Sequence, residues 1–409
     1  MDRFKNTIVS VCASLAIMNS AYAGTLIINS GESDPMPKKA WEEVIKKFEI
    51  ENPDITVKYN LYDHESYKTA IRNWLVTSPP DVVFWFAGNR MKTFVDRGLF
   101  EDVTDLWQQE NLVPDFASTQ AAMSVNGKIY GVPYTYYQWG IYYRRDIFDQ
   151  YNLSEPTNWE EFIKVADTLK SNGVTPFTIG TKYLWTAAGW FDYLNLRVNG
   201  LQYHIDLMDG KIPYTDNGVR ETFQYWKTLI DKGYFVNNHA TYSWQEAQAF
   251  IYNGDAAMYL IGNFFAANFT DDIAKKMDFF QFPNIKSSIP MAEDAPMNTL
   301  HIPSKAKNKQ DAKQFLKFVA RADTQTFING YLSQIPTNNK AIAKDDPFLN
   351  EGIKVLNEAS GTAQFYDRDT DPAMAKEGMK GFQEFMVYPE RLDKILSHLE
   401  KTRQRIFKP

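Results

Sequence analysis

Cysteine is almost absent from this chain of 409 residues, which contains only Cys12. Cys12 lies in a first segment where Arg3 and Lys5 precede a mostly apolar run and the small residues of AYA end at position 23. This order is typical of a cleaved secretory leader, so we predict a signal peptide over 1–23. An acylated leader is the alternative, but the bulky Val11 precedes the cysteine. Without the leader no thiol is left for disulfides, nucleophiles or thiolate metal sites.

Long hydrophobic runs and basic clusters are also missing. No apolar stretch beyond the leader reaches the about 20 residues of a membrane helix. The formal net charge is −6, and lysine and arginine are scattered, which argues against a nucleic-acid partner. The five histidines, at 64, 204, 239, 301 and 398, include no i, i+4 pair, and no GxSxG motif occurs. We expect a secreted, periplasmic monomer that has no metal site and no cofactor.

Strand-length apolar runs alternate with helical periodicity, a pattern that predicts an α/β fold with largely parallel sheets. The chain begins with strands at 24–31, 54–62 and 81–88, separated by helices at 36–51 and 64–78. The length beyond the leader suits two lobes. The pattern predicts further helices at 158–171, 217–232, 244–253, 308–321, 372–386 and 389–405, and further strands at 175–180, 256–262, 278–283 and 297–303.

Several stretches, in this order and spacing, make the chain resemble a known family. They are NPDITVKYN, PPDVVFWFAG, DRGLFEDVTDLW, NGKIYGVPYTYYQWGIYYRRDIFDQY, PTNWEEFIKVADTLKSNGVTPF, NGDAAMYLIGNF and IPSKAKNKQDAKQFLKFVA. The chain resembles the extracellular solute-binding proteins of bacterial ABC sugar importers, the maltose-binding-protein-like group (solute-binding family 1). The resemblance implies a two-lobed type II periplasmic-binding-protein fold whose lobes, each a mixed, mostly parallel sheet flanked by helices, close on one ligand. It also implies delivery of that ligand to a membrane permease, without catalysis.

Because we find no flexible linker, we expect strands to cross between the lobes and each lobe to be discontinuous in sequence. We predict an N-terminal lobe from 24–134 plus about 285–340. The C-terminal lobe is predicted from 135–284 plus about 341–409, which includes the closing helices.

The stretch YTYYQWGIYY, at 134–143, concentrates aromatic rings before a predicted strand GIYYRRDIF. A sugar needs rings against its C–H faces and polar groups for its hydroxyls, because an unpaired buried hydroxyl costs about 1–3 kcal/mol. Tyr142 and Phe148 are interpreted as core. Tyr137, Gln138 and Trp139 precede the strand, where a cleft is expected, and are predicted to contact the ligand.

A second aromatic stretch, LWTAAGWFDYLNLRVNG, spans 184–200. It predicts a helix from Trp190 to Val198 with Trp185 and Trp190 near its start, where cleft residues usually lie in the family that the chain resembles. Trp185 is the better candidate, since small residues follow it. Asp192 is predicted to accept ligand hydroxyls, although it could also favour the helix N-terminus electrostatically.

The carboxyl ends of three predicted strands supply further candidates. Asn263 and Phe264 follow the strand at 256–262 as hydroxyl partner and stacking face. Trp85 and Asn89 occupy the equivalent place after the third strand. Glu32 follows the first strand, where the family often places an acid, but it could instead complement the next helix dipole.

The segment QFYDRDTDPAM, at 364–374, adds Arg368 and Asp369 as ligand candidates. Its aspartates match the first positions of a calcium loop, but Pro372 and Gly378 stand where glycine and glutamate are required. Asp371 and Pro372 instead predict a helix start. An arginine can bind two hydroxyls or an anionic group, so a charged sugar derivative or a sugar alcohol is an alternative ligand.

Two other functions use similar residues. A secreted glycoside hydrolase would need two facing carboxylates, which Glu32, Asp192 and Asp369 could supply. It would release new reducing ends from sugar oligomers. A sensor without transport would share the fold, and a neighbouring permease gene would distinguish the two. We interpret the chain as a carbohydrate-binding protein that is not an enzyme; its sugar is not encoded in any recognisable motif.

Overall fold

The computed structural model describes residues 24–408, so the predicted signal peptide over 1–23 lies outside the described residues. Two hydrophobic cores organise this part of the chain. The N-terminal lobe has a core of residues within 26–134 and 297–332. The C-terminal lobe has a core of residues within 137–282 and 348–399. The prediction of two lobes is confirmed, and the exact limits of each lobe stay a prediction.

The chain crosses between the two cores at three places, 134–137, 282–297 and 332–348. Crossings at three points restrict the relative motion of two lobes more than a single tether does. Such crossings suit hinge closure about a cleft, in which a few residues at element ends absorb the change.

The strands form two main sheets and two short ribbons. The larger sheet has the order β2-β1-β3-β12-β6, the smaller has the order β10-β7-β9-β8, and β11-β13 and β4-β5 form the ribbons. The strands are β1 (Gly24–Ser30), β2 (Ile55–Leu61), β3 (Val82–Phe86), β4 (Ser124–Val125), β5 (Lys128–Ile129), β6 (Val132–Tyr136), β7 (Trp139–Arg144), β8 (Thr175–Phe177), β9 (Ala256–Gly262), β10 (Met277–Phe280), β11 (Glu293–Asp294), β12 (Met297–His301) and β13 (Thr362–Ala363).

Both main sheets are mixed, as predicted, but parallel pairs do not predominate in either of them. In the larger sheet β1 pairs parallel with β2 and β3, whereas β12 pairs antiparallel with β3 and β6. In the smaller sheet β7 is antiparallel to both neighbours. The two strands that run opposite to the rest of their sheets, β12 and β7, each directly follow a crossing between the lobes, so they enter the sheets from the opposite end.

Helices cover both sheets. They are α1 (Pro35–Glu51), α2 (His64–Thr77), α3 (Asn89–Asp96), α4 (Thr104–Gln109), α5 (Arg145–Gln150), α6 (Trp159–Ser171), α7 (Trp185–Asn199), α8 (Leu201–Met208), α9 (Asn217–Asp231), α10 (Trp244–Asn253), α11 (Asp271–Ala274), α12 (Lys309–Ala320), α13 (Ala322–Leu332), α14 (Pro347–Glu358), α15 (Tyr366–Asp369), α16 (Pro372–Val387) and α17 (Leu392–Ile406). No helix within residues 24–408 is both long and apolar enough to cross a membrane.

Helix α1 shows how the periodicity builds a lobe. Trp41, Val44, Ile45 and Phe48 recur at helical spacing and are buried. Full burial of each such side chain contributes about 1.5–3 kcal/mol. The predicted start of α16 is also confirmed, because the Asp371 side chain accepts a hydrogen bond from the Ala373 amide at 2.8 Å.

Local structure differs from the prediction around the ring-rich stretch. Residues 134–136, which come before the predicted strand, themselves belong to β6, whose edge position tolerates Pro133. The strand predicted through GIYYRRDIF ends at Arg144, and α5 begins at the next residue. The Arg144 guanidinium donates two hydrogen bonds to the Asp146 carboxylate, at 2.6 and 2.7 Å. Helix α7 begins at Trp185, earlier than the predicted start at Trp190.

Candidate functional site

A cavity of about 110 Å³ lies between the two lobes. Strand ends form it: β1 and β3 end beside it in one lobe, and β7 starts beside the end of β9 in the other, where Trp139 pairs with Gly262. From the N-terminal lobe it is lined by Gly31, Glu32, Asp34, Pro37, His64, Lys68, Phe86, Asn298, Leu332 and Gln334; from the C-terminal lobe, by Tyr137, Trp139, Trp185, Trp244, Phe264, Phe365, Asp367 and Arg368.

One side of the cavity, the ring wall, consists of five aromatic side chains of the C-terminal lobe. Trp185 is central, because its ring centroid lies 6.0–6.3 Å from those of the other four. Most of these pairs meet at steep angles, which suits the quadrupoles of the rings. The wall is a rigid apolar platform made of Trp139, Trp185, Trp244, Phe264 and Phe365.

Trp139 contributes a polar atom as well as a ring. Its carbonyl oxygen accepts a hydrogen bond from the Tyr193 hydroxyl at 2.9 Å, and Gly189 lets α7 pack closely, since a Cβ there would lie 2.7 Å from the indole ring. The indole Nε1 is buried and has no hydrogen-bond partner within residues 24–408. Buried tryptophan N–H groups usually find a partner; this one faces Gly262, where an added Cβ would lie 2.9 Å from it.

The residue before Trp185 has an unusual backbone conformation. Leu184 adopts φ 71° and ψ −39°, and it is not a glycine. Such strain of about 1–3 kcal/mol persists only where the surroundings fix it, and it is concentrated at functional sites. The conformation of Leu184 directs the chain into α7, which begins at Trp185, the central residue of the ring wall.

The opposite side, the polar wall, belongs to the N-terminal lobe. The Glu32 carboxylate accepts a hydrogen bond from the Tyr134 hydroxyl at 3.0 Å. Asp34 accepts one from Gln245 at 3.4 Å, and this bond crosses the cleft because Gln245 lies on α10. Burial lowers the pKa of His64, with help from nearby cations, so its ring is neutral. The polar wall consists of Glu32, Asp34, His64, Lys68, Asn298 and Gln334.

Arg368 projects from α15 toward the polar wall. Its guanidinium donates to the Met297 carbonyl and the Asn298 side chain, each at 3.2 Å, and to the Tyr137 hydroxyl at 2.9 Å. It also stacks on Phe86, with 4.1 Å between the guanidinium carbon and the ring centroid. Within residues 24–408 it forms no ion pair with a carboxylate, so a charged donor remains at the cavity.

Glu32 has an elevated pKa. Desolvation raises its pKa to about 7, and the Tyr134 hydrogen bond opposes this only in part. Between pH 4.5, the ordinary value, and about 7 the folded protein therefore binds more protons at Glu32 than the unfolded chain does. Stability from this group is present below that window and is lost as pH rises through it.

We expect the variant Glu32→Gln to lose this pH dependence. Its free energy of unfolding, measured by urea denaturation of the ligand-free protein from pH 4.5 to 7.5, should decline less with rising pH than that of the wild type. Asp369→Asn is the comparison variant for the effect of a second buried acid on the pH dependence of unfolding, because burial also raises the pKa of Asp369 to about 7. Parallel curves for wild type and Glu32→Gln would contradict the assignment.

The structure brings part of the predicted site together. The predicted residues that line the cavity are Glu32, Tyr137, Trp139, Trp185, Phe264 and Arg368. They come from the end of β1, the start of β7, the start of α7, the end of β9 and the segment before α16, as the strand-end argument requires. Their role as ligand contacts remains a proposal.

Four other predicted residues lie outside the cavity. Trp85 and Trp190 belong to the two cores and are 3% and 0% exposed. Gln138 is buried and donates to the Phe348 carbonyl at 3.3 Å, since its side chain points opposite to those of Tyr137 and Trp139. Asn263 accepts from the Tyr142 hydroxyl and donates to the Ser333 carbonyl, so it ties the two lobes together.

The remaining three predicted residues surround α15. Asn89 donates to the Asp369 carbonyl, and Asp192 accepts from the Tyr366 amide at 2.8 Å. The Asp369 carboxylate accepts a hydrogen bond from the Gln364 amide at 2.9 Å. Their polar groups thus bond to the backbone of this segment, and none of the three lines the cavity.

Sequence reasoning missed several lining residues that obey the same rule. Phe86 is the last residue of β3, one position after the predicted Trp85, and alternation along a strand directs the two side chains to opposite faces. His64 and Lys68 begin the helix after β2, and Trp244 begins α10. The position of each residue at the end of an element could therefore be predicted from the sequence. The face to which each side chain points could not.

Within residues 24–408, no group of three or more histidine, aspartate or glutamate side chains is arranged to hold a metal ion. The cavity offers rings on one side and hydrogen-bond donors and acceptors on the other. It can hold a compact molecule that has both an apolar face and a polar edge.

Comparison with known proteins gives a family match. The model of the family described as bacterial extracellular solute-binding protein matches residues 33–326. A multiple sugar-binding protein of Streptococcus mutans is 26% identical over 289 residues, which cover 69% of this chain and 68% of that protein. An ABC transporter extracellular-binding protein of Pyrococcus horikoshii is 27% identical over 334 residues, which cover 79% of this chain and 74% of that protein.

A similar solved structure is that of the bacterial solute receptor AcbH. It matches with a TM-score of 0.90 and 29% identity, over 94% of this chain and 100% of that chain. AcbH is described as having an exclusive preference for β-D-galactopyranose.

Proposed function

We propose that this chain, which belongs to the bacterial extracellular solute-binding family, binds a carbohydrate in the cavity between its lobes. The observation that carries the proposal is the pairing of the ring wall with the polar wall. A pyranose has C–H faces that pack on aromatic rings and an edge of hydroxyls that must be hydrogen-bonded when buried.

The charges around the cavity favour a neutral sugar. Arg368 is the cation without a carboxylate partner, while Lys68 pairs with Glu65 at 2.9 Å and Asp367 pairs with Arg90. Asp34 and Glu32 face the same space, but burial raises the pKa of both and that of Glu32 to about 7, so they offset only part of the charge of Arg368 at neutral pH. A sulfonate or carboxylate on the ligand would meet these acids as well as the guanidinium, so it gains less than it would from the guanidinium alone.

The similar proteins support a role in import. The Streptococcus mutans and AcbH names concern sugars, and the Pyrococcus horikoshii name places that protein with an ABC transporter. We infer that this chain is a monomeric periplasmic receptor, exported by a signal peptide over 1–23, that delivers its sugar to a membrane permease. Ligand that touches both lobes stabilises the closed form by its differential affinity.

We also propose that the protein does no hydrolysis. Of the three carboxylates considered for a hydrolase, Glu32 lines the cavity, whereas Asp192 and Asp369 are held by the backbone of residues 364–366. The other carboxylates at the cavity are Asp34, which lies beside Glu32 on the polar wall, and Asp367, which pairs with Arg90. Glycosidases need two carboxylates that flank one bond from opposite sides. The expectation is checked by incubation with sugar oligomers, which should produce no new reducing ends.

A thermal-shift screen tests the proposed ligand class. The panel contains D-galactose, D-glucose, D-xylose, maltose, raffinose, a sugar alcohol and D-galacturonate. We expect at least one neutral sugar to raise the melting temperature, because a ligand at 100 times its Kd adds about 2.7 kcal/mol of stability. A shift with galacturonate alone would contradict the neutral class, and no shift with any sugar would contradict the proposed function.

A further inference from the structure

The short helix α15, residues Tyr366–Asp369, is attached to both lobes and carries Arg368 into the cavity. A helix of a single turn is not stable by itself, because its nucleation costs more than its hydrogen bonds return. Its geometry must therefore come from side chains that hold it from outside. Two sets of such side chains are present, one from each lobe.

From the N-terminal lobe, α3 supplies the first set. Arg90 Nε donates to the Asp367 carbonyl at 2.7 Å, and its Nη2 forms an ion pair with the Asp367 carboxylate. Asn89 donates to the Asp369 carbonyl. The approach is close: Gly88 has φ 73°, and a Cβ there would lie 3.1 Å from the Arg368 carbonyl oxygen.

From the C-terminal lobe, the second set holds the first residue of the helix and the residue that follows its last. Asp192 accepts from the Tyr366 amide at 2.8 Å, and the Tyr214 and Tyr366 hydroxyls share a hydrogen bond of 2.6 Å. The Thr370 hydroxyl donates to the Met208 carbonyl at 2.8 Å. Asn89, Asp192 and Arg90 thus act on the same segment from opposite sides.

We propose that Arg90 is a positioning residue for ligand binding: by pairing with Asp367 it leaves the neighbouring Arg368 free to serve the ligand. Asp367 and Arg368 are 6% and 7% exposed, so both charges are largely removed from water. A buried carboxylate without its partner is strongly destabilised. Without Arg90, the cations left near Asp367 are Lys68, which is already paired with Glu65 at 2.9 Å, and the adjacent Arg368. Arg368 would then be drawn to Asp367 and withdrawn from Tyr137 and Asn298. This inference rests on the proposed function of the cavity.

The decisive experiment is a double-mutant cycle on the dissociation constant. The probe is the neutral sugar with the largest thermal shift in the panel, and Kd is measured by calorimetry. Arg90→Met and Arg368→Met should each weaken binding at least about tenfold. The double variant should be no weaker than the weaker-binding single variant, because both changes remove the same donor. Losses that multiply in the double variant would overturn the proposal.

A rescue variant separates positioning from general structural support. Adding Asp367→Asn to Arg90→Met removes the charge that captures Arg368, so most of the affinity should return, although no ion pair is restored. Lack of rescue would overturn the mechanism. Arg144→Met is the matched control, since Arg144 is equally buried and bonds to Asp146 and carbonyl oxygens away from the cavity. Its Kd should be unchanged.

The outcomes also separate this inference from the proposed function. If the wild type binds no sugar of the panel, the proposed function fails and the inference fails with it. If the wild type binds a sugar and Arg90→Met binds it equally well, the inference alone is overturned. Urea denaturation of each variant establishes that the protein in the calorimeter is folded.

Discussion

Trp185→Ala is expected to weaken sugar binding by about 2 kcal/mol or more, as for buried aromatic anchors, which is roughly a thirtyfold rise in Kd. The reason is the central position of its ring, which contacts every other member of the ring wall. The indole is half-buried and lines the cavity, so truncation removes a stacking face from the ligand. Calorimetric titration with the sugar found in the screen measures the loss.

Two comparison variants make this result interpretable. Trp185→Phe keeps an aromatic face and should lose less affinity than Trp185→Ala. Trp159→Ala truncates a tryptophan at the start of α6 that packs on Phe162 and Tyr225 and does not line the cavity. It should lose stability and keep its Kd. Near-normal affinity in Trp185→Ala would mean that the ring wall does not bind the ligand.

Arg197→Met is expected to lower the free energy of unfolding by about 3–5 kcal/mol, the typical cost of leaving a buried charge without its partner. Arg197 and Glu293 are 1% and 0% exposed and form an ion pair. Arg197 also donates to the Phe282 and Ala292 carbonyls, at both sides of the second crossing between the lobes. Urea denaturation at pH 7 measures the change.

Two further variants test whether the lost stability comes from the stranded carboxylate of the buried ion pair. Adding Glu293→Leu to Arg197→Met removes the stranded carboxylate, and much of the stability should return. Arg220→Met breaks an exposed pair with Asp393 and should cost at most about 1 kcal/mol. If Arg197→Met costs no more than Arg220→Met, the buried pair does not hold the crossing in place.

Sequence patterns predicted helices and strands well where the pattern depends on residues of a single helix or strand. The helical spacing of Trp41, Val44 and Phe48 and the Asp371–Pro372 start are local, and both appear in the structure. The direction of each strand in its sheet is not determined by local sequence. It depends on where the chain crosses between the lobes, and the residues of β12 or β6 do not indicate from which end of the sheet the strand enters.

The candidate site shows the same division. Chain position placed Glu32, Trp139 and Trp185 at the cleft, because strand and helix ends converge there. Orientation was harder, since Gln138 and Trp139 are adjacent and point to opposite faces. The arrangement of Arg90 against Asp367 joins residues 277 positions apart, and such a pairing leaves no trace in either local sequence.

The division of the cavity into a ring wall and a polar wall has a consequence for how such a receptor changes its choice of sugar. The apolar platform comes from one lobe, and most of the polar lining comes from the other. C–H faces are common to most pyranoses, whereas epimers differ only in where their hydroxyls point. If the cavity binds a sugar as proposed, we expect substitutions confined to the polar wall to change the preferred epimer, while the stacking surface, and the lobe that folds around it, stays as it is.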